Sequence, residues 1–411
     1  MFRFLLIMLL AGCATQAHKD TYVPATPPNE IKSLKSGFDL AEARQMLEFC
    51  IELNDQDDRL RSTSMVYKPA IDTTIWNPEP VFDSRRVVAH EVYQYYKNPK
   101  DSPWTKLYVK ILAKAKTKYN TITESVIYND PELNGFGPWN NAWLLYEGIN
   151  DNAGNYAIAV RGTIVSNKMS DIEDALFRPA KAQHFLSPAI QFSKDPYSVL
   201  HGGFAHATVV LLLDEKFGIV PVLQNKNITK LYITGHSQGA AMATLLHAFF
   251  HYSTDSVFGL GSYQIKSYVF AQPKPGNVFF SQDFASFTQY GDSAITINNS
   301  VDVVPKVPLT IETTEDINPL LKKEEALHVL SDTGSFLRRS VENLIQPYSA
   351  KELLAYGRLY KQDLLNLHED KEVTSWNFVS AGRVLYVYGT PDYSKDTFYQ
   401  HHATTYRELL K

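Results

Sequence analysis

The chain has 411 residues, 44% of them apolar, and a formal charge of −4 at pH 7. Such a near-neutral balance, with no block of one sign, supplies neither a basic field for nucleic acid nor an acidic tail. Aromatic residues at 12% exclude wholesale disorder, and the length suits one large domain with a buried core or two ordinary ones.

The first residues have the build of an export signal. Arg3 supplies a positive charge, Phe4 to Leu10 is an apolar run, and Ala11 and Gly12 are small. The run is too short to span a bilayer as a stable helix. Leu9-Leu10-Ala11-Gly12-Cys13 resembles the lipobox of bacterial lipoproteins. That resemblance implies removal of a signal peptide at 1–12 and acylation of Cys13, and with Ala14 next it implies sorting to the outer membrane of a bacterial envelope. Several acyl chains anchor stably where one binds marginally. Residues 13–37 then form the lipidated cysteine and a tether, with Pro24, Pro27 and Pro28 among Thr, Lys and Ser, reaching roughly 80 Å when extended.

From residue 38 onward the pattern is that of a folded domain running to 411. Leu40, Ala43, Leu47, Cys50 and Ile51 fall at helical spacing over 39–53, with Asp39 as the cap. Cys50 has no disulfide partner once Cys13 is acylated, and its place on the apolar side predicts a buried structural thiol. Ala142 to Tyr146 and Tyr156 to Val160, joined through Gly148, Asn152 and Gly154, predict a hairpin. Helices are predicted at Phe204–Leu213 and Ala240–His251, and strands at Lys230–Thr234, Ile265–Phe270, Ala294–Asn298 and Arg383–Tyr388. The alternation predicts an α/β fold with a mostly parallel central sheet flanked by helices. Residues 309–371 read as a polar-faced helical insertion before the last strand.

The sharpest local signal is Gly235-His236-Ser237-Gln238-Gly239, set between a predicted strand and a predicted helix. A serine on such a turn occupies a strained backbone, and glycines two residues to either side remove side chains that would collide across it. Ser237 would project at a helix N-terminus, which favours developing negative charge, and Gln238 would offer its backbone N–H to an oxyanion. His236, adjacent on the turn, reads as structural.

A serine hydroxyl needs a base, and the base an orienting carboxylate. In the α/β-hydrolase arrangement the order is Ser, then Asp or Glu, then His. Asp302 lies just past the strand at 294–298, in a loop stiffened by Pro305 and Pro308. Asp292 precedes that strand and Asp316 lies beyond the loop. Of the later histidines, His328 and His368 fall in the insertion, whereas His401 and His402 follow the last strand, so one of that pair is the candidate base.

These residues resemble the class 3 lipases, the fungal-type triacylglycerol lipases and their relatives, over roughly 140–308 and the last twenty residues. The resemblance rests on Ala159-Val160-Arg161-Gly162-Thr163, His201-Gly202-Gly203-Phe204, Ala271 to Asn277, Asp302-Val303-Val304-Pro305, and His401 through Tyr406. It implies an α/β-hydrolase fold, hydrolysis of carboxylic esters of lipids, Thr163 as a second oxyanion donor, and His401 over His402 as the base. It also implies that Asp174 belongs to the segment anchoring the loop after Thr163, while Arg161 reads as a buried structural partner. Gln238, Ala240 and Ala271 depart from the family's usual residues, which bears on substrate preference. Residues 164–200 lie where such enzymes carry a lid, and Phe177, Phe185, Leu186, Pro188, Ile190 and Phe192 make an apolar flap one reading and a packed loop the other.

The motifs hold no metal constellation and no glycine-rich phosphate loop, so a cofactor-free enzyme is expected, acting on a lipid or ester substrate without an evident protein partner. Two other function classes share the scaffold: an acyltransferase or peptidase, and a non-catalytic surface lipoprotein.

Overall fold

The computed structural model describes residues 37–55, 70–100, 105–130, 133, 141–163, 179–185, 190–213, 218–224, 226–252, 258, 260, 263–308, 377–390 and 399–411. The signal segment 1–12, Cys13, the tether up to residue 36, the insertion 309–371, Asp174, Asp316, His328 and His368 lie outside the described residues.

Helix α1 (Leu40–Asp55) begins where the backbone N–H of Glu42 donates to Asp39 Oδ1 at 2.9 Å, the cap expected of that aspartate. Strand β1 (Trp76–Asp83) leads to helices α2 (Ser84–Lys97), α3 (Thr105–Lys118) and α4 (Glu124–Asn129). Strands β2 (Ala142–Gly148) and β3 (Asn155–Val160) make the expected hairpin, followed by short strands β4 (Pro179–Lys181) and β5 (Val199–His201). Next come α5 (Gly202–Leu213), α6 (Ile219–Leu223), β6 (Lys230–His236), α7 (Gln238–Tyr252) and β7 (Gln264–Phe270). The described chain then forms β8 (Gly276–Asn277), α8 (Val278–Phe287), β9 (Ala294–Asn299), β10 (Phe378–Val379), β11 (Arg383–Val387) and α9 (Ala403–Leu409).

Seven strands form one sheet in the order β1-β2-β3-β6-β7-β9-β11. The β1–β2 and β2–β3 pairs are antiparallel, and every pair from β3 to β11 is parallel. This is an α/β-hydrolase type of sheet, covered on both sides. Alternation puts Trp143, Leu145, Ile158 and Val160 against α5 and α7, while Leu144, Tyr146, Ala157 and Ala159 face α1. Cys50 is buried on that second side, where its Sγ lies 3.3 Å from Thr234 Oγ1 and burial pushes the thiol up to about 12.

The register fixes which end of the sheet is functional. Asp83 pairs with Ala142, Trp143 with Val160, and Val160 with Gly235. The excursion α2–α4 therefore leaves and rejoins the sheet at the rim where the parallel strands finish. It carries its own small core of Val88, Val92, Tyr108, Ile111, Leu112 and Ile127.

Two features depart from the sequence expectation. A second, four-stranded sheet in the order β10-β8-β5-β4 was not anticipated, because strands of two or three residues show no periodicity. The flap reading of 164–200 is corrected over its described part. Phe185, Ile190 and Phe192 are buried in the main core, Phe185 beside His206 at 5.0 Å between ring centroids. Burying each such side chain stabilises the fold by about 2 kcal/mol, which favours packing over exposure. Phe177, Leu186 and Pro188 lie outside the described residues.

Candidate active site

Strand β6 runs two residues further than its apolar pattern, through Gly235 and His236, and α7 starts directly at Gln238. Ser237 is the single residue between them and has φ 60, a left-handed conformation that costs a non-glycine residue free energy. A Cβ on Gly235 would lie 2.1 Å from the carbonyl oxygen of Gly239, and one on Gly239 would lie 2.3 Å from that of Val160. The first glycine lets the turn close on itself, and the second lets α7 start against the end of β3. The Ser237 N–H donates to the Phe270 carbonyl at 3.0 Å, fixing the turn to β7.

Asp302 follows β9 by three residues and is 2% exposed. His401 sits in the short 3-10 turn Tyr399–His401, just before α9. The structure brings these residues together: His401 Nδ1 is 2.9 Å from Asp302 Oδ2, and His401 Nε2 is 2.8 Å from Ser237 Oγ. With its proton on Nδ1, donated to Asp302, the ring leaves Nε2 to accept from the serine hydroxyl. His402 is exposed and occupies the N-cap position of α9. Asp292 lies on the turn before β9, at the opposite end of that strand from Asp302.

The carboxylate is held by more than the histidine. Burial disfavours its charge, but His401, the Val304 N–H at 2.9 Å and the Tyr406 hydroxyl at 2.8 Å outweigh that and keep Asp302 below its ordinary range. The Tyr406 oxygen in turn accepts from the Asn299 N–H at 2.9 Å. The Asn299 side chain binds Gln400 and the Gly389 N–H, tying the aspartate's turn to the segment that delivers His401. Tyr406 enters the sequence reading only as the last letter of a pattern, and Asn299 not at all. No local sequence signal marks the latter, because the partners of its side chain lie about a hundred residues away.

His236 is placed as a structural residue. Its ring packs 4.8 Å from that of His401 and edge-on to Tyr406 at 5.7 Å. Burial, with the charge of His401 added, lowers its pKa to about 3, so it stays neutral beside the triad geometry. Gly162 brings the end of β3 against the elbow, since a Cβ there would lie 2.6 Å from the His236 carbonyl oxygen and 3.3 Å from Ser237 Cβ. Thr163 follows Gly162 directly along the chain, and Gln238 opens α7 next to the serine. Arg161 is buried, as expected of a structural partner.

The Ala271 to Asn277 loop is a brace. Ala271 has φ 52, a conformation that suits the glycine the resemblance expects there. Gln272 is fully buried, donating to Thr244 Oγ1 and the Ala381 carbonyl and accepting from the Ala381 N–H.

Comparison with known proteins finds similarity over part of the chain. Residues 157–312 match the family described as Lipase (class 3). A secreted mono- and diacylglycerol lipase of Malassezia globosa is 32% identical over 154 residues, 37% of this chain and 46% of that protein. A phospholipase A1-II of Oryza sativa subsp. indica is 28% identical over 170 residues, 37% of this chain and 40% of that protein. The chain thus spans less than half the length of these relatives. Among solved structures, M37 lipase aligns over 80% of this chain and 92% of its own, at 17% identity and a TM-score of 0.41. The matched segment contains the elbow, the Arg161-Gly162-Thr163 strand end and Asp302, and over it the chain is similar to the class 3 lipases.

Proposed function

We propose that the chain hydrolyses carboxylic esters of lipids through Ser237, His401 and Asp302. The observation that carries this reading is the unbroken relay from Ser237 Oγ to His401 to Asp302, at 2.8 and 2.9 Å, behind a glycine-flanked elbow. His401 takes the serine proton as Oγ attacks the ester carbonyl, and Asp302 stabilises the imidazolium that forms. The backbone N–H of Gln238 and the N–H or hydroxyl of Thr163 receive the oxyanion, each such donor contributing about 10²–10³ in rate. Collapse expels the alcohol with the proton from His401, and water repeats the sequence on the acyl-enzyme.

Lipid esters are favoured by the family match and by the printed names of the relatives, glyceride lipases and a phospholipase A1. The reading extends to a bacterial envelope protein with a signal peptide at 1–12, a lipidated Cys13 and a tether, probed below. The direct test of function is fatty-acid release from mono-, di- and triacylglycerols and from phospholipids, by wild type and Ser237→Ala. Release confined to the wild type is expected. Turnover only with alcohol acceptors would turn the reading to an acyltransferase, and none with any ester would overturn it.

A further inference from the structure

The excursion α2–α4 lies outside the family-matched residues and plays no part in the relay. Its charge is unlike that of the rest of the chain. From Lys97 to Lys118 the sequence holds seven lysines against one acid, Asp101, in a chain of net charge −4. Helix α3 itself has no acidic residue. Its inner side, Tyr108, Ile111, Leu112 and Ala115, is buried in the excursion's own core. Its outer side exposes Lys110, Lys114, Lys116 and Lys118, the last paired with Asp130 at 3.2 Å, together with Val109 at 50% exposure. Tyr96 and Tyr119, beside the ends of α2 and α3, are also exposed.

Lysines for an anionic surface and exposed tyrosines for the headgroup boundary together make an interfacial composition. The register adds direction, because the excursion leaves at Asp83 and returns at Ala142, on the rim that carries Ser237. We propose that α2–α4 is a docking surface for anionic lipid bilayers, which sets the catalytic rim toward the membrane. Docking goes beyond the hydrolase reading and needs no turnover, so a catalytically dead chain should bind as well.

The test is co-sedimentation of the full Ser237→Ala chain with phosphatidylcholine vesicles, with and without about a third phosphatidylglycerol. An acyl anchor acts on both vesicle types, so the ratio of the two affinities reads the lysines. That ratio should be large at low salt and fall toward one near 1 M salt, where the Debye length is about 3 Å. Lys110→Gln, Lys114→Gln and Lys116→Gln together should lower it about a hundredfold, from about 1 kcal/mol per lysine. The same three changes with Ser237 restored should leave hydrolysis of a short, water-soluble ester unchanged. Equal binding of the unsubstituted surface to both vesicle types, a ratio unmoved by the substitutions, or binding to duplex DNA but not to anionic vesicles would overturn the proposal. Loss of ester hydrolysis with vesicle binding intact would instead strike the hydrolase reading alone.

Discussion

Tyr406→Phe separates support of the triad from participation in it. The phenol is fully buried, donates to Asp302 Oδ2 at 2.8 Å and accepts from the Asn299 N–H at 2.9 Å. Removing only its oxygen deletes a hydrogen bond to a carboxylate, worth about 1.5–3 kcal/mol, and leaves a buried N–H without that partner at about 1–3 kcal/mol. The two losses overlap in part, so the expected fall in stability is about 3 kcal/mol. The effect on catalysis should be smaller. Asp302 keeps the His401 ring and the Val304 N–H, which hold its orientation, so kcat should fall about tenfold, or about 1.4 kcal/mol of barrier. Urea unfolding and short-chain ester kinetics on the same preparation read both quantities. A Tyr406→Phe chain as inactive as Asp302→Asn yet fully stable would refute the reasoning, because the phenol would then be acting in the reaction. Unchanged stability and unchanged kcat would refute it equally, by showing that the bond is idle.

Asp302→Asn should cut kcat by about 10⁴ with little loss of melting temperature, whereas Asp292→Asn, at the far end of β9, should remain near wild type in kcat/KM. Acid should destabilise the fold above the carboxylate range. Burial lowers His236 and His247 to about 3 and His206 to about 4, so the unfolded chain binds protons that the native chain refuses as pH falls below 6.5. Stability is thus fully present above pH 6.5 and lost toward pH 3, by about 2 kcal/mol for each of the two most shifted rings at pH 5. A urea midpoint flat from pH 7 to 5 would contradict this. Asp302, whose pKa is lowered, adds its own loss only below about pH 4, as it protonates. Cys13→Ser should abolish incorporation of labelled palmitate; label retained in that variant would place the acylation elsewhere.

The sheet was legible where the chain repeats a simple pattern. β2, β3, β6, β7 and β9 are apolar runs with turn residues between them, and the structure extends each by only a residue or two. β1 was missed because Pro78 and Pro80 argue against a strand, and it lies at the sheet's edge, where proline is tolerated. Helix α3 went unread although Tyr108, Ile111, Leu112 and Ala115 have helical spacing. The candidate site was legible in proportion to how local its geometry is. The elbow depends on five consecutive residues and their steric demands, so its glycines announce it. Asp302 and His401 lie 65 and 164 residues further along the chain and meet Ser237 only through the sheet's topology. Order along the chain narrowed them to a few candidates, and the resemblance, not the residues alone, favoured His401 over His402. Asn299 depends on a contact 101 residues distant, which no local pattern encodes.

The most direct test of the central claim is covalent labelling by a fluorophosphonate, read by peptide mass spectrometry across four forms of the full chain. Attack on phosphorus requires an activated serine and nothing else of the substrate. One label per chain at Ser237 is expected, with none in Ser237→Ala, labelling slowed by orders of magnitude in His401→Ala, and near-normal labelling in His402→Ala. Labelling at another serine, or normal labelling in His401→Ala with loss in His402→Ala, would contradict the claim.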